Sequence, residues 1–312
     1  GSAAQVTGNA VPTTSDITID NVNGVALTAA ITTTGTLTMT NGQLDLANTN
    51  LSVGALTGST NISHATGVAG ARTISVTGNT SPAAYSGVIS NGTATSVSLS
   101  KSGSGTLTLQ GLNIYTGTTT INAGTISITT LEDVSGGASS LGAPTTVANG
   151  TIALVSGSSV LKYTGAGHSS NRVIATTTDG STINASGTGT LTLTGGVTSG
   201  GGNDDLELTG TGVGAMNSVI ATVGGALDKT GLGTWILGAA NTYTGTTTVA
   251  AGGILEYGIA NAISTGAVTV SGGTLDMKTF SDAVGTVTLS NGGTITGSGT
   301  LTGSSYAVQN GT

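Results

Sequence analysis

Apolar and polar residues alternate along this chain in short runs that are separated by glycine-containing turns. In residues 36–40, TLTMT, Leu37 and Met39 alternate with threonine before Asn41-Gly42. Alternation with a period of two over about five residues, bounded by turn residues, is typical of a half-buried β-strand. Thr and Val suit such strands because they branch at Cβ.

The same alternation predicts strands through the rest of the chain. No segment keeps an apolar period near ~3.6 residues, the signature of an amphipathic helix. We therefore expect an all-β protein with essentially no α-helix, built as a sandwich, a barrel or a solenoid. The main predicted strands are 73–77, 96–100, 106–109, 118–121, 125–128, 151–155, 190–194, 206–209, 234–237, 246–249, 268–271, 274–277, 286–290 and 294–296.

A long internal repeat favours the solenoid among these folds. Segment 101–128, KSGSGTLTLQGLNIYTGTTTINAGTISI, returns without a gap at 229–256 as KTGLGTWILGAANTYTGTTTVAAGGILE. A repeated unit that cannot bury its apolar face alone buries it on its neighbour. Three prolines and few aromatic residues in the whole chain point the same way, to stacked coils around Val, Leu, Ile, Ala and Thr. The recurring positions are Lys101/Lys229, Gly105/Gly233, Asn113/Asn241, Tyr115/Tyr243, Gly117/Gly245 and Gly124/Gly252.

Charge and composition exclude several classes of partner. Six Lys and Arg stand against 13 Asp and Glu, for a net charge of −7, and the basic residues are scattered singly. Nucleic-acid binding and attraction to membranes need clustered basic residues, so we expect neither. No stretch approaches ~20 consecutive apolar residues, so no membrane-spanning helix is expected. Cysteine is absent, which excludes disulfides and thiolate chemistry.

The histidines do not predict a catalytic site. His64 and His168 are the only two in the chain, and both stand in stretches rich in Gly, Ser and Ala. A histidine-based triad needs a nucleophile and an orienting acid around one ring. We expect both histidines to be exposed in loops.

Two groups of acidic residues are the candidates for the active site of a carbohydrate-active enzyme. Such enzymes need paired carboxylates, with Lys or Arg on the same face. Glu132-Asp133 and Asp204-Asp205-Glu207 have no basic residue close by in the chain, so only coil stacking would bring Arg172 or Lys229 near them. We therefore predict no catalytic residues and no enzyme activity.

One acidic group also invites a metal interpretation. Segment 199–206, SGGGNDDL, matches the calcium-binding nonapeptide G-G-x-G-x-D-x-U at Gly200, Gly202, Asp204 and Leu206. Asp204 and Asp205 are thus candidate calcium ligands. Calcium takes six or more oxygen ligands, which one short loop rarely supplies. An acidic surface loop is the favoured interpretation, and no cofactor is expected.

The recurring polar residues are interpreted as structural. Asn113 and Asn241 stand beside tight turns, where Asn bonds its own backbone or stacks into a ladder along the coils. We expect Tyr115 and Tyr243 to cover a coil corner. Lys101 and Lys229 stand in near-neutral surroundings and are expected to be solvated loop charges.

Both repeat blocks resemble a known family. The pattern K-x-G-x-G-T-L-x-L-x-G-x-N-x-Y-T-G-x-T-T-I-x-A-G-T is similar to the autotransporter-associated β-strand repeat, also called the passenger-associated transport repeat. Residues 101–125 match it with Ile114 where Thr is usual, and 229–253 match with Trp235-Ile236 for Leu-x and Gly253 for the last Thr. Flanking segments look like parts of long passengers, so the resemblance extends over most of residues 60–312. These segments are 85–89, 161–165, 171–174, 183–193, 271–298 and 299–310.

The resemblance implies a right-handed parallel β-helix that is exported across an outer membrane by a C-terminal barrel. We expect one continuous, elongated solenoid over residues 1–312, part of a longer passenger, with Gly1-Ser2 a cloning remnant. The expected location is the cell surface of a Gram-negative-type bacterium. The expected role is a non-enzymatic rigid stalk or adhesion scaffold, with glycans or proteins of host or neighbouring cells as partners. A self-assembling surface-layer or filament subunit and a carbohydrate-active enzyme remain the alternatives.

Overall fold

The computed structural model describes residues 5–6, 13–250 and 252–310, and the chain divides into two units, Gly1–Ile152 and Ala153–Thr312. Gly1 and Ser2 lie outside the described residues. Together the described residues form a parallel β-solenoid of about 14 turns, which confirms the all-β solenoid expected from the alternation. The right-handed sense of the coil and the continuity of one solenoid through both units stay predictions.

The first unit consists of short strands joined by turns. Its one helix within the described residues, α1 (Val147–Gly150), has four residues and is N-capped by Thr146. Near-absence of helix is therefore confirmed. The strands are β1 (Gln5–Val6), β2 (Ile17–Asp20), β3 (Val25–Ala26), β4 (Ile31–Thr32), β5 (Thr36–Asn41), β6 (Leu44–Asp45), β7 (Leu51–Val53), β8 (Ala55–Gly58), β9 (Ile62–Ser63), β10 (Ala71–Val76), β11 (Ser96–Lys101), β12 (Thr106–Leu109), β13 (Thr119–Ile121) and β14 (Gly124–Ile128).

Strands of the first unit pair in parallel with the strand one coil earlier and one coil later. One face carries β4, β7, β10, β11 and β13 in that order, a second β1, β3, β6 and β9, and a third β2, β5 and β8. Ile31 is in register with Leu51, and Leu51 with Ile74, so one coil takes 20 to 23 residues here. Tyr85 bridges Gly58 and Leu109, which links β8 to β12.

The second unit repeats this plan with longer runs of paired strands. One sheet carries β16, β19, β22, β25, β27, β29, β31 and β33, another β17, β20, β23, β26, β28, β30 and β32, and a third β18, β21 and β24. The strands are β15 (Ile152–Leu154, at the division between the units), β16 (Ser159–Tyr163), β17 (Ala166–Ser170), β18 (Ile174–Thr176), β19 (Ser181–Ala185), β20 (Gly189–Leu193), β21 (Val197–Ser199), β22 (Leu206–Thr209), β23 (Val213–Met216), β24 (Ile220–Ala221), β25 (Leu227–Lys229), β26 (Thr234–Leu237), β27 (Thr247–Ala250), β28 (Ile254–Tyr257), β29 (Val268–Ser271), β30 (Thr274–Asp276), β31 (Asp282–Ser290), β32 (Thr294–Thr296) and β33 (Leu301–Gln309).

The interior of each unit follows the alternation in the sequence. In β12 the side chains of Leu107 and Leu109 point inward and are buried, while those of Thr106 and Thr108 point outward. The expectation of a purely aliphatic interior is incomplete, because six aromatic side chains also lie inside, whereas Tyr306 is exposed and Phe280 is half-buried. The buried aromatic residues are Tyr85, Tyr115, Tyr163, Trp235, Tyr243 and Tyr257. No helix of the described residues is long and apolar enough to cross a membrane.

Candidate functional site

The lysines that open the two repeat blocks are buried inside the coils. Lys101 ends β11 and Lys229 ends β25, and they are 1% and 0% exposed. Each ammonium group donates to the carbonyl oxygens of the next two residues, at 2.5 and 2.8 Å from Lys101 Nζ, with the second bond of Lys229 at 3.0 Å. The expectation of solvated loop charges is wrong, because both lysines occupy an inward position of a strand.

Burial changes the protonation of these two lysines. Loss of water penalises the ammonium form, which lowers the pKa of Lys101 and of Lys229 to about 8. At Lys229 the negative charge of Glu207 opposes this shift. The two side chains therefore serve as caps for the turn that follows their strand, inside the coil.

Asn113 joins three successive coils. Its side chain is fully buried; Oδ1 accepts from the N–H of Ile89 at 2.7 Å, and Nδ2 donates to the carbonyl of Ser140 at 2.7 Å. These partners lie 24 residues earlier and 27 residues later. We expected a bond within the Asn turn or a side-chain ladder; instead the amide connects backbone groups of the coils on either side.

Asn241 repeats the arrangement in the second unit. Oδ1 accepts from the N–H of Ile220 at 2.7 Å, and Nδ2 donates to the carbonyl of Ala262 at 2.6 Å. Both partners are 21 residues away. An amide carries an acceptor oxygen and a donor nitrogen at fixed positions, so it can bond both neighbours at once.

The recurring tyrosines lie in the interior and do not cover corners as expected. Tyr115 is 0% and Tyr243 is 1% exposed. The hydroxyl of Tyr115 bonds Thr119 Oγ1 at 2.8 Å, and that of Tyr243 bonds Thr247 Oγ1 at 2.7 Å. Burial raises the pKa of Tyr243 above its usual value. Each tyrosine thus fills its coil and ties the loop to the strand four residues on.

Five of the repeat glycines stand where the preceding coil leaves no room for a side chain. Gly124 is one of them, since an added Cβ would lie 2.3 Å from the backbone oxygen of Gly103, and its φ of +70° also favours glycine. Gly252 has room for a Cβ, and only its φ of +73° favours glycine. An added Cβ would overlap a backbone oxygen of the coil below at 2.1 Å for Gly105, 2.4 Å for Gly117, 2.2 Å for Gly233 and 2.4 Å for Gly245.

His64 is buried and not an exposed loop residue. Its Nε2 lies 3.2 Å from Arg72 Nη2, and its Nδ1 lies 2.7 Å from Thr93 Oγ1. Since a guanidinium only donates, Nε2 accepts, and the proton sits on Nδ1 facing Thr93. Neither of these partners is the orienting acid that a triad would require.

His168 also departs from the loop expectation. It lies within β17, half-buried, in register with Leu191 of β20. The two histidines belong to different units, and neither has the nucleophile and acid of a hydrolytic site among the contacts described here.

The calcium candidates do not form the expected surface loop. Asp204 is 2% exposed, and its carboxylate accepts from Ser199 Oγ at 2.8 Å and Thr176 Oγ1 at 3.2 Å. Asp205 accepts from the N–H of Ala226 at 2.6 Å. The part of the chain that the structure describes holds no group of three or more His, Cys, Asp and Glu suited to a metal ion. Asp204 and Asp205 therefore stay untested as calcium candidates, and the prediction that no metal binds here also stays a prediction.

Coil stacking brings two acidic residues together, but not beside a basic group on their face. Glu207 of β22 is in register with Asp228 of β25, and both point outward. Burial, then the charges of Asp205 and Glu207, raise the pKa of Asp228. Lys229 follows Asp228 and points inward to its carbonyl partners, although the charge of Glu207 still acts on the ammonium.

The remaining residues considered for catalysis lie on other segments, with Arg172 between β17 and β18. Arg172 is buried, with 0% of its surface exposed. Glu132 and Asp133 follow β14 in the first unit, and Asp133 is exposed.

Two further buried carboxylates carry polar bonding that the sequence does not reveal. Asp45 accepts from the N–H groups of Ala47 and Ala65, and hydrogen bonds of this kind hold its pKa below the usual value although burial opposes them. Asp282 accepts from the hydroxyl of Tyr257 at 3.1 Å, and burial raises its pKa. Ala47 is a local partner of Asp45, but Ala65 and Tyr257 lie about one coil away from the carboxylates that they bond, and spacing in the sequence does not show those contacts. The sequence did contain a sign that Lys101 is buried, because Val97, Leu99 and Lys101 stand at alternate positions of β11 and therefore point to the same, inward side.

Comparison with known proteins agrees with the repeat pattern. The family described as Passenger-associated-transport-repeat matches residues 99–128 and 227–256. The chain is also similar to a protein named Adhesin BmaC autotransporter, from Brucella suis biovar 1 (strain 1330), with 36% identity over 180 residues. That match covers 57% of this chain and 4% of the relative's length. No solved structure matches the chain. The two blocks are thus passenger-associated-transport repeats, which confirms the resemblance.

Proposed function

We propose that this chain is an extracellular segment of an autotransporter passenger, and that it serves without catalysis as a rigid stalk with an adhesive surface. Its place is the cell surface of a Gram-negative-type bacterium, and its partners are glycans or proteins of host or neighbouring cells. The relative's printed name describes an autotransporter adhesin, which supports this role.

The observation that carries the stalk proposal is the bonding between coils at the repeat blocks. Asn113 and Asn241 each connect the coil before and the coil after by two buried hydrogen bonds. In a solenoid each coil contacts only its neighbours, so stiffness depends on such local links. Bonds that reach both neighbours resist bending and sliding at the coil that holds them.

The proposal includes one continuous solenoid over residues 1–312. Small-angle X-ray scattering of the purified chain tests it. We expect a distance distribution with one short cross-section peak and a long tail, as for a rod. A compact, near-spherical profile would contradict both continuity and the stalk.

Light scattering separates the stalk from the self-assembling alternative. A stalk gives a monomer whose mass does not change with concentration, whereas a surface-layer or filament subunit gives growing polymers.

Adhesion and catalysis are tested on the same preparation. Beads coated with the chain are expected to adhere to host cells more than beads coated with a globular control protein. Incubation with neutral and acidic polysaccharides is expected to release no reducing sugar or unsaturated product. If beads coated with the chain adhere no better than the control beads, the adhesive role is wrong. Release of product would favour the carbohydrate-active enzyme.

A further inference from the structure

We propose that one face of the first unit binds a neutral, hydroxyl-rich polysaccharide. This inference rests on the adhesive role proposed above, and it assigns the ligand class and the face. The face is the outward side of β4, β7, β10, β11 and β13, and we call it the hydroxyl face.

Side-chain hydroxyls form a column across all five strands of the hydroxyl face. Thr32 is in register with Ser52, and Ser52 with Ser75. Ser75 is in register with Ser100, and Ser100 with Thr120. Neighbouring strands lie about 4.8 Å apart, so the column places one hydroxyl at each such step.

A shorter second column runs beside the first, two residues earlier on three of the five strands, and consists of Thr73, Ser98 and Thr118, which directly precedes β13. Thr73 is in register with Ser98, and the N–H of Thr118 on the next coil donates to Ser98 Oγ at 3.2 Å. The two columns are separated by inward residues such as Ile74 and Leu99, which are buried. The result is a two-dimensional array of hydroxyls on a pleated surface.

The hydroxyls of the first column are largely available to a ligand. Ser100 Oγ accepts from Asn122 Nδ2 at 3.0 Å, whereas within the described residues the hydroxyls of Ser52, Ser75 and Thr120 make no hydrogen bond to another protein group. Polar side chains at the border of the face are engaged instead, as when Asn50 Oδ1 accepts from the N–H of Thr73 at 2.9 Å. A free hydroxyl both donates and accepts, as does each hydroxyl of a sugar.

Charge selects a neutral ligand. The outward residues of these five strands carry no charge, because Arg72 turns toward His64 and Lys101 points inward. In the second unit, by contrast, outward positions carry Glu207 and Asp228. A chain with a net charge of −7 repels acidic polymers, and this face has no cation to hold them.

The absence of aromatic side chains from the outward positions of these strands decides how the ligand is held. Without a ring to stack on, each sugar contributes only a few hydroxyl bonds. An extended polysaccharide repeats its hydroxyls along a flat ribbon and engages several coils at once, so affinity grows with polymer length through multivalency. We therefore assign a polymer, not a monosaccharide, as the ligand.

The test uses the full chain with cellulose as a neutral linear glucan, polygalacturonate as an acidic polymer, and immobilised copies of the chain itself. The face variant is Ser75→Asp with Ser100→Asp. The matched control is Thr38→Asp with Thr57→Asp, two registered outward threonines of β5 and β8 on another face. Circular dichroism and the thermal midpoint establish that all three proteins fold alike; if the face variant unfolds, Ser75→Ala with Ser52→Ala replaces it.

We expect the wild type and the control to bind cellulose, long soluble glucan oligomers to compete better than short ones, and the face variant to lose about tenfold or more in affinity. Equal binding by the face variant and control, no binding by the wild type, or preference for polygalacturonate would overturn the inference. Binding only to immobilised copies would also overturn it and make a second copy the occupant. If coated beads adhere to cells while cellulose is not bound, the adhesive role stands and the ligand assignment fails.

Discussion

Lys101 and Lys229 occupy inward strand positions that aliphatic residues hold elsewhere in the coils. A buried ammonium loses its hydration, which is costly unless hydrogen bonds replace the water. Two backbone carbonyls in the turn that follows each lysine supply those bonds. Each lysine is thus part of the coil interior, although a charged residue at the start of a repeat block would normally be placed at the surface.

Stability is expected to rise between pH 8 and pH 10. The pKa of each lysine is about 8 in the folded chain and about 10.4 when unfolded. Between these values the unfolded state binds more protons, so the free energy of unfolding increases with pH, by about 1–3 kcal/mol for each lysine. Urea unfolding at pH 8, 9 and 10 measures this increase in the free energy of unfolding.

The control for this pH effect is Lys101→Met with Lys229→Met, which keeps a long side chain and removes the titrating group. Its stability is expected to lack this rise and to fall slightly toward pH 10, where the tyrosines of the unfolded chain begin to ionise. Above pH 10 the rise ends, because burial raises the pKa of Tyr85 and Tyr243, which then stay protonated while the unfolded tyrosines ionise. A wild type whose stability falls from pH 8 to pH 10 would show that the lysines are hydrated.

Asn241→Ala is expected to destabilise the chain by about 2–4 kcal/mol. The change leaves the N–H of Ile220 and the carbonyl of Ala262 without their buried partner, and each unsatisfied group costs about 1–3 kcal/mol. Asn217→Ala, at an exposed position, is the matched control and should change the free energy of unfolding by less than about 0.5 kcal/mol. Equal effects of the two substitutions in urea unfolding would contradict the coil-bridging role.

At the scale of the elements, the glycines before the strands set how closely one coil sits on the next. Gly233 precedes β26, and its α-carbon faces a backbone oxygen of Gly212 on the coil below. Parallel strands bond at about 4.8 Å, so a side chain between coils would force them apart and weaken the ladder on both sides. The sequence shows the glycine at each repeat, but the reason lies in a coil about 20 residues earlier.

Gly233→Ala is expected to cost about 3 kcal/mol, because the added methyl group would lie 2.2 Å from the carbonyl oxygen of Gly212 and backbone must move. Gly292→Ala is the comparison: its φ is +77° with no atom within 4 Å, so only the cost of a left-handed alanine applies, about 1–2 kcal/mol. Thermal unfolding of both variants measures the difference. A smaller loss for Gly233→Ala would contradict the close-packing account.

For the whole molecule, backbone ladders and apolar burial provide the stabilisation, and ion pairs provide little. Among the described residues, Lys278 forms ion pairs with Glu256 and with Asp276, each at 3.0 Å. Lys278 is partly exposed, so solvent screens both contacts. Hydrogen bonds between uncharged groups, such as the asparagine bridges, connect the coils instead.

The thermal midpoint is therefore expected to change little between low and high sodium chloride at pH 7. Salt screens exposed charges over about 10 Å or less, and few charges contribute here. Differential scanning calorimetry at two salt concentrations measures this, and Lys278→Ala should leave the small salt dependence unchanged. A large fall of the midpoint on adding salt would show that ion pairs matter more than the structure indicates.

Period-two alternation and Asn-Gly or Gly-Gly turns determined the strands, the absence of long helices and the stacking of coils. These features are local: a residue and its neighbours within about five positions decide whether a run is a half-buried strand. The block that returns without a gap 128 residues later then carried the family resemblance, since the pattern of Lys101 to Thr125 recurs at Lys229 to Gly253 with its spacing intact.

Only the tertiary structure decided what the polar residues in those runs do. Lys101 and His64 appear exposed in the sequence because both stand near Gly and Ser, yet both are buried by coils that lie about 20 to 29 residues away. Asn113 and Asp45 find their partners in the same way. In a solenoid the contacts that set burial and hydrogen bonding come from the coil above and the coil below, and one-dimensional spacing does not contain that register.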